Sequence, residues 1–165
     1  MAPKKAIKSS PIKRSKPVYT TIKPKSISEL YKAQTALKTP VSQRKILIKK
    51  LDTLFSKYIR LRYAVDGKVQ CVTCGRKEHW KNVDCGHFIP RGRIGTRFDE
   101  RNCHVQCKDC NQAKSGNMER YHHYMKVWFG QDVIDELLLQ SRKPLKTYEI
   151  QEMITVYREK LLTFE

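Results

Sequence analysis

Residues 71–117 read CVTCGRKEHWKNVDCGHFIPRGRIGTRFDERNCHVQCKDCNQAKSGN, and the two ends of this stretch decide the fold. Cys71 and Cys74 open it, and Cys107 and Cys110 close it. A Cys-x-x-Cys turn presents two thiolates to one tetrahedral ion, and two such turns complete a four-Cys structural zinc site. The pairs are separated by 32 residues, longer than a simple ribbon, so something is inserted between the knuckles. A redox dithiol would require a thioredoxin-like βαβ context, and no such pattern is present. A closed four-Cys site leaves no open coordination position, so this zinc is expected to hold structure. The remaining cysteines, Cys85 and Cys103, read as small buried hydrophobes with no ligand role.

Outward from this stretch, the chain of 165 residues is one domain's worth of sequence with room for a tail. Hydrophobic residues make up 39% and charged residues 30%, which implies that part of the chain does not fold. The formal net charge is +18, and the usual reason to carry that much self-repulsion is a polyanionic partner. No run of apolar residues is long enough for a transmembrane helix, and the basic start MAPKKAIKSS has no apolar core behind it, as a secretory signal would. Nucleic acid is therefore favoured over a membrane surface, and the cytoplasm, on DNA, is the expected location. The first 50 residues hold 14 Lys or Arg and a single acid, Glu29. Residues 1–26, rich in Lys, Pro, Ser and Thr, read as a disordered basic arm. Its residues Lys4, Lys5, Lys13 and Arg14 are expected to bind DNA phosphates, non-specifically and with strong salt dependence. The alternative is a solvated tail.

Four regions are expected: the arm (1–26), a helical extension (27–66), the zinc-knuckle core (67–117) and C-terminal helices (118–165). A weak helix is expected at 26–37, with Ser42 as N-cap of a long helix to about Ala64. That helix carries Ile46, Ile48, Leu51, Leu54, Phe55, Tyr58, Ile59 and Leu61 at helical spacing. Residues 69–72 read as a short strand. Helices are expected near 118–129, 131–140 and 147–162, separated by Gly130 and Pro144. Trp128, Phe129, Ile134, Leu137, Leu138, Ile154, Tyr157 and Leu161 are expected in the core. The fold class is α+β.

The insert and its flank carry a resemblance. His87 followed by Phe and Ile-Pro, a central Asn102 five residues before Cys107, and Asn111 directly after Cys110 are similar to the pattern of the HNH, or ββα-metal, endonucleases. Four segments together resemble more closely the NinG (Rap) recombination proteins of lambdoid phages: LFSKYIRLR (54–62), DCGHFIPRG (84–92), TRFDERN (96–102) and QCKDCN (106–111) with SGN (115–117). The resemblance covers roughly residues 45–125. It implies a small zinc-stabilised HNH core flanked by helices, and a recombination endonuclease acting on branched DNA such as Holliday junctions and D-loops, in the host cytoplasm. The phage endonuclease VII resolvases look similar too.

Phosphodiester hydrolysis needs an activated water, charge stabilisation on the phosphate and a protonated leaving oxygen. A near-neutral imidazole suits the first, and a hard divalent ion on oxygen donors suits the others. On this reading His87 is the general base, Asn102 holds its orientation, and Asn111 gives an amide oxygen to Mg²⁺ or Mn²⁺. Many HNH enzymes place an acid or His directly before the catalytic His; here Gly86 stands there, so Asp84 is the substitute ligand, or else a structural carboxylate. Arg91, Arg93 and Arg97 are expected to grip phosphate. His104, by its offset from Asn102, is expected on the opposite strand face. Asp99 is expected to pair with an Arg, and Asn117 to cap a helix or touch substrate. Two other readings compete: a zinc-knuckle DNA-binding protein without catalysis, supported by Gly86, and an HNH nuclease acting on duplex DNA. A homodimer through the flanking helices would suit a near two-fold junction.

Overall fold

The structure, a computed structural model, describes residues 40–164. The basic arm, with Lys4, Lys5, Lys13 and Arg14, and the weak helix at 26–37 lie outside them.

The fold is mixed α+β. Helix α1 (Pro40–Leu61) leads into β1 (Lys68–Gln70) and β2 (Lys77–His79), then a short 3₁₀ turn (Trp80–Asn82) and β3 (Val83–His87). After an irregular loop come β4 (Cys103–Cys107), a π-helical turn (Asp109–Ala113), and helices α2 (Met118–Gln140) and α3 (Thr147–Leu162). The helix expected from Ser42 starts two residues earlier, at Pro40, so Ser42 lies inside it. Proline is tolerated in a first helical turn, where its missing amide hydrogen would have had no partner. Gly130 (φ 81°, ψ 170°) interrupts α2, because only glycine reaches that conformation without strain. The two helices expected on either side of Gly130 are therefore both present and meet at this kink.

The strands form two antiparallel ribbons, β1–β2 and β3–β4. In the second, Asp84 pairs with Gln106, Cys85 with Val105, Gly86 with His104 and His87 with Cys103. Side chains alternate across a strand, so Cys85, His87 and Cys103 share one face, and Asp84, Gly86, His104 and Gln106 share the other.

Each face meets a different core. The first lies toward α1 and α3, where Leu51, Phe55, Ile59, Ile150, Ile154 and Tyr157 pack with Phe98 and Cys103. Phe55 makes edge contacts with Phe98 (5.7 Å) and Tyr157 (5.0 Å). Burying each such side chain contributes about 1.5–3 kcal/mol. Glu100 fastens the seam, accepting hydrogen bonds from Tyr58 (3.2 Å) and Tyr157 (3.0 Å) and pairing with Arg62 (3.3 Å). The second face lies against α2, near a core of Phe88, Ile89, Tyr121, Met125, Ile134 and Leu137. Two expected core residues lie outside: Trp128 is 72% and Leu138 50% exposed. They hold apolar positions in the helical repeat, but no element among the described residues packs over them. Among the described residues, no helix is long and apolar enough to cross a membrane.

Candidate functional site

The four knuckle cysteines converge. Cys71 follows β1, Cys107 ends β4, Cys110 sits in the π-helical turn, and their ligand atoms, with that of Cys74, all lie within 4.8 Å of one another. Cys74 Sγ and Cys107 Sγ are 3.7 Å apart. A tetrahedral ion with Zn–S bonds of about 2.3 Å sets its sulfurs about 3.8 Å apart, so the group fits structural zinc. Burial pushes the Cys71 thiol up, but hydrogen bonds from the Thr73 hydroxyl and from backbone amides outweigh it and bring it down to about 7. The Thr73 hydroxyl lies 3.2 Å from that sulfur. Asn117 stands at the start of α2 in a left-handed conformation, and its side chain makes no cap. It donates instead to Cys110 Sγ at 3.5 Å.

Beside the knuckle lies a cleft of about 660 Å³ between α1 and β3. Asp52, Ser56 and Arg60 of α1, Cys85 and His87 of β3, and Asn111 and Ser115 beyond the knuckle line it. His87 Nε2 meets the carbonyl oxygen of Arg97 at 3.1 Å. Burial holds the imidazole below its ordinary pKa of 6.5, and the cations of Arg91 and Arg97 act in the same direction. The ring is therefore neutral at physiological pH.

Asn102 is fully buried. Its Oδ1 accepts from the amide of Ile89 (2.7 Å), and its Nδ2 donates to the carbonyls of Ile89 (3.1 Å) and Thr96 (3.0 Å). Its backbone carbonyl accepts from the amide of Phe88 (2.9 Å). Asn102 therefore staples the loop that leaves His87 and acts on the ring through the backbone.

The two residues expected to ligate a catalytic ion do meet. Asn111 Nδ2 donates to Asp84 Oδ2 at 2.9 Å, and Gln112 Nε2 donates to the same oxygen at 2.8 Å. One carboxylate and two side-chain amides, once turned, offer the oxygen donors that a hard divalent ion prefers, so the set fits such an ion. Asp84 stands on the ribbon face opposite His87, and Asn111 is the one of the two that lines the cleft. Gly86 has a packing reason: a Cβ there would overlap the Gln106 side chain. The ligand common in HNH enzymes before the His has no room here.

The arginines divide. The reading of Arg97 as a phosphate ligand is revised, because its guanidinium holds Asp52 through two bonds, of 2.9 and 2.6 Å. Arg91 also reaches Asp52 (2.7 Å) but remains largely exposed and lines the cleft. Arg93 is exposed. Asp99 pairs with Arg101 at 2.9 Å. His104 stands on the face opposite His87, as its offset predicts. Asp52 and Ser56 escaped the sequence reading; their spacing of four along one helix was the available signal.

A profile of the family described as "Bacteriophage Lambda NinG protein" matches residues 4–165. Among curated relatives, "Protein ninG" of Escherichia phage 933W is 33% identical over 128 residues, covering 75% of this chain and 61% of the relative. "Protein ninG" of Escherichia phage lambda is 32% identical over 128 residues, covering 75% of this chain and 60% of the relative. "Protein ninG" of Salmonella phage P22 gives the same identity and coverage. The chain thus spans about three-fifths of the length of these curated relatives. No solved structure matches it.

Proposed function

The chain belongs to the bacteriophage lambda NinG family, and from that premise we propose that it is an HNH-type, metal-dependent endonuclease acting on branched DNA such as Holliday junctions. The observation that carries this reading is the placement of His87 and Asn111 on one cleft beside the four-Cys knuckle.

His87 serves as general base. The carbonyl of Arg97 accepts from Nε2, which leaves Nδ1 to take a proton from the attacking water. Burial keeps the ring neutral, so the base is ready at physiological pH. Asn102 is a positioning residue, since it fixes the loop after His87 and touches no reacting atom. Asp84 and Asn111 would hold Mg²⁺ or Mn²⁺, which supplies charge stabilisation for the phosphate and the leaving oxygen when bound. Zn²⁺ held by the four cysteines would keep Asn111, one residue beyond Cys110, in register with β3. Arg91 and Arg93 would hold flanking phosphates. The arm would add a salt-dependent contact to the DNA backbone. The same reading expects action in the host cytoplasm, on DNA, and a homodimer for a near two-fold junction.

The test is cleavage of a labelled four-way junction and a matched linear duplex with Mg²⁺ or with EDTA. The reading expects the junction to be cut with Mg²⁺, the duplex to be spared, and EDTA to stop cutting without stopping binding. Equal cutting of the duplex would replace it with a duplex nuclease. Binding without cutting in Mg²⁺ or Mn²⁺ would leave a zinc-knuckle DNA-binding protein, the reading that the filled space at Gly86 favours.

A further inference from the structure

We propose that Cys85, His87 and Cys103 form a second metal site, selective for a soft or borderline cation such as Zn²⁺ or Cd²⁺, distinct from the four-Cys knuckle and open to the cleft. The ligand atoms of these three residues lie within 4.8 Å of one another. Strand register brings them there: His87 pairs directly with Cys103, Cys85 sits two residues before His87, and all three stand on one face.

The geometry is close to what a tetrahedral cation needs. Bonds of about 2.3 Å to sulfur and about 2.0 Å to nitrogen set the ligand atoms roughly 3.5–3.8 Å apart. Small side-chain rotations close the difference. Two thiolates and one imidazole neutralise a divalent ion, so the filled site can sit against the apolar wall of Phe55 and Phe98 that backs Cys103. The donor set excludes Mg²⁺ as the occupant, because Mg²⁺ takes oxygen ligands.

A disulfide between the two cysteines is the competing use of the sulfurs. Cys85 and Cys103 are diagonal across the ribbon, and diagonal neighbours lie about 7–8 Å apart, beyond the usual Cα separation of a disulfide. A bridging cation spans that gap more readily than an S–S bond. Entry is open, because Cys85 and His87 line the cleft. Cys103 lies buried behind them. Three protein ligands leave a fourth position for water or a cleft group, the arrangement of an exchangeable metal.

One consequence rests on the nuclease reading. An ion held by either nitrogen of His87 leaves the other carrying the ring's proton, so the imidazole can no longer accept one from water. Zn²⁺ beyond the structural equivalent therefore acts as an inhibitor that shares a residue with the general base.

The test is metal stoichiometry on the full chain purified with one zinc. The protein is equilibrated with added Zn²⁺, the bound metal is counted after removal of free ion, and Co²⁺ in place of added Zn²⁺ gives a thiolate charge-transfer band. The wild type is expected to hold a second equivalent with that band. Cys85→Ser and Cys103→Ala are expected to bind it at least tenfold more weakly while retaining the first. Cys85 borders the cleft, so its variant keeps the test alive if Cys103→Ala does not fold. A wild type that stops at one equivalent overturns the site, and so does a second equivalent that survives both substitutions. Inhibition is read separately, as at least a tenfold rise in the zinc concentration that halves cleavage in Cys85→Ser. Absence of cleavage in any metal would sink the nuclease reading and leave the stoichiometry intact.

Discussion

His87 and His104 stand on opposite faces of the same two-stranded ribbon, within one pairing step of each other, and they have opposite fates. His104 is ringed by Tyr121, Tyr124 and Phe129, with centroids 5.8, 5.0 and 5.3 Å away. Its Nδ1 meets the Tyr121 hydroxyl at 3.1 Å. Its Nε2 is buried without a partner among the described residues. Burial, reinforced by the charge of Arg62, pushes its pKa down to about 3. His87 is also depressed by burial, yet it keeps a backbone acceptor and an open side toward the cleft. The difference lies in the face. Residue type alone does not separate a packing histidine from one placed for chemistry.

The ribbon's two faces share one anchor, the knuckle, whose four cysteines could hold zinc, and loss of such an ion should loosen both. Binding of structural zinc is worth roughly 10–16 kcal/mol in small zinc domains. Stripping the ion with a strong chelator is expected to abolish cooperative unfolding of the ribbon, followed by near-UV circular dichroism. A stripped protein with an unchanged melting temperature would show that the helical cores hold both faces by themselves.

Asn102 ties the loop between the faces. Asn102→Ala leaves the buried amide and carbonyl of Ile89 unpaired, while the Thr96 carbonyl keeps the Asp99 amide, a loss of about 2–5 kcal/mol. Urea unfolding should report it as a lower midpoint with unchanged slope.

The closed face has its own pH signature. His104 stays neutral in the folded state to about pH 3, whereas the unfolded chain protonates it near its ordinary value of about 6.5. Below that value the unfolded state binds the extra proton, so stability falls as pH drops from about 6.5 toward 3. Between pH 6.5 and 5 the loss is about 2 kcal/mol, at about 1.4 kcal/mol per unit. Replacement by a residue that does not titrate, His104→Gln, should flatten this slope in urea titrations run across that range. A slope that persists would assign it to other groups.

The smallest effect is expected where sequence periodicity placed a core residue and the structure did not. Trp128 is 72% exposed, so Trp128→Ala should change stability by less than about 0.5 kcal/mol in the same unfolding assay.

These cases mark what the sequence made legible. The two Cys-x-x-Cys turns and the helix at Thr147–Leu162 follow from local spacing and periodicity, whereas the ribbon between the turns is legible only through the family resemblance. His104's face follows from its offset within one strand. Periodicity could not say which apolar positions of α2 have an element over them, and so misplaced Trp128 and Leu138 in the core. Arg97 is held by Asp52, 45 residues earlier, a contact that no local pattern encodes. The meeting of Cys85, His87 and Cys103 depends on the β3–β4 register, and the irregular loop at 88–102 hides that register from the sequence.

We propose His87, on the open face, as the proton acceptor in DNA cleavage. Single-turnover cleavage of a four-way junction across pH, with junction binding measured in parallel, tests it most directly. A neutral imidazole is the active form, so the wild-type rate should rise with pH through an acid limb below 6.5, the side to which burial moves His87. His87→Ala should lose about 10²–10⁴-fold in rate and keep its affinity for the junction. A variant that binds and cuts like the wild type, with the same acid limb, would contradict the claim.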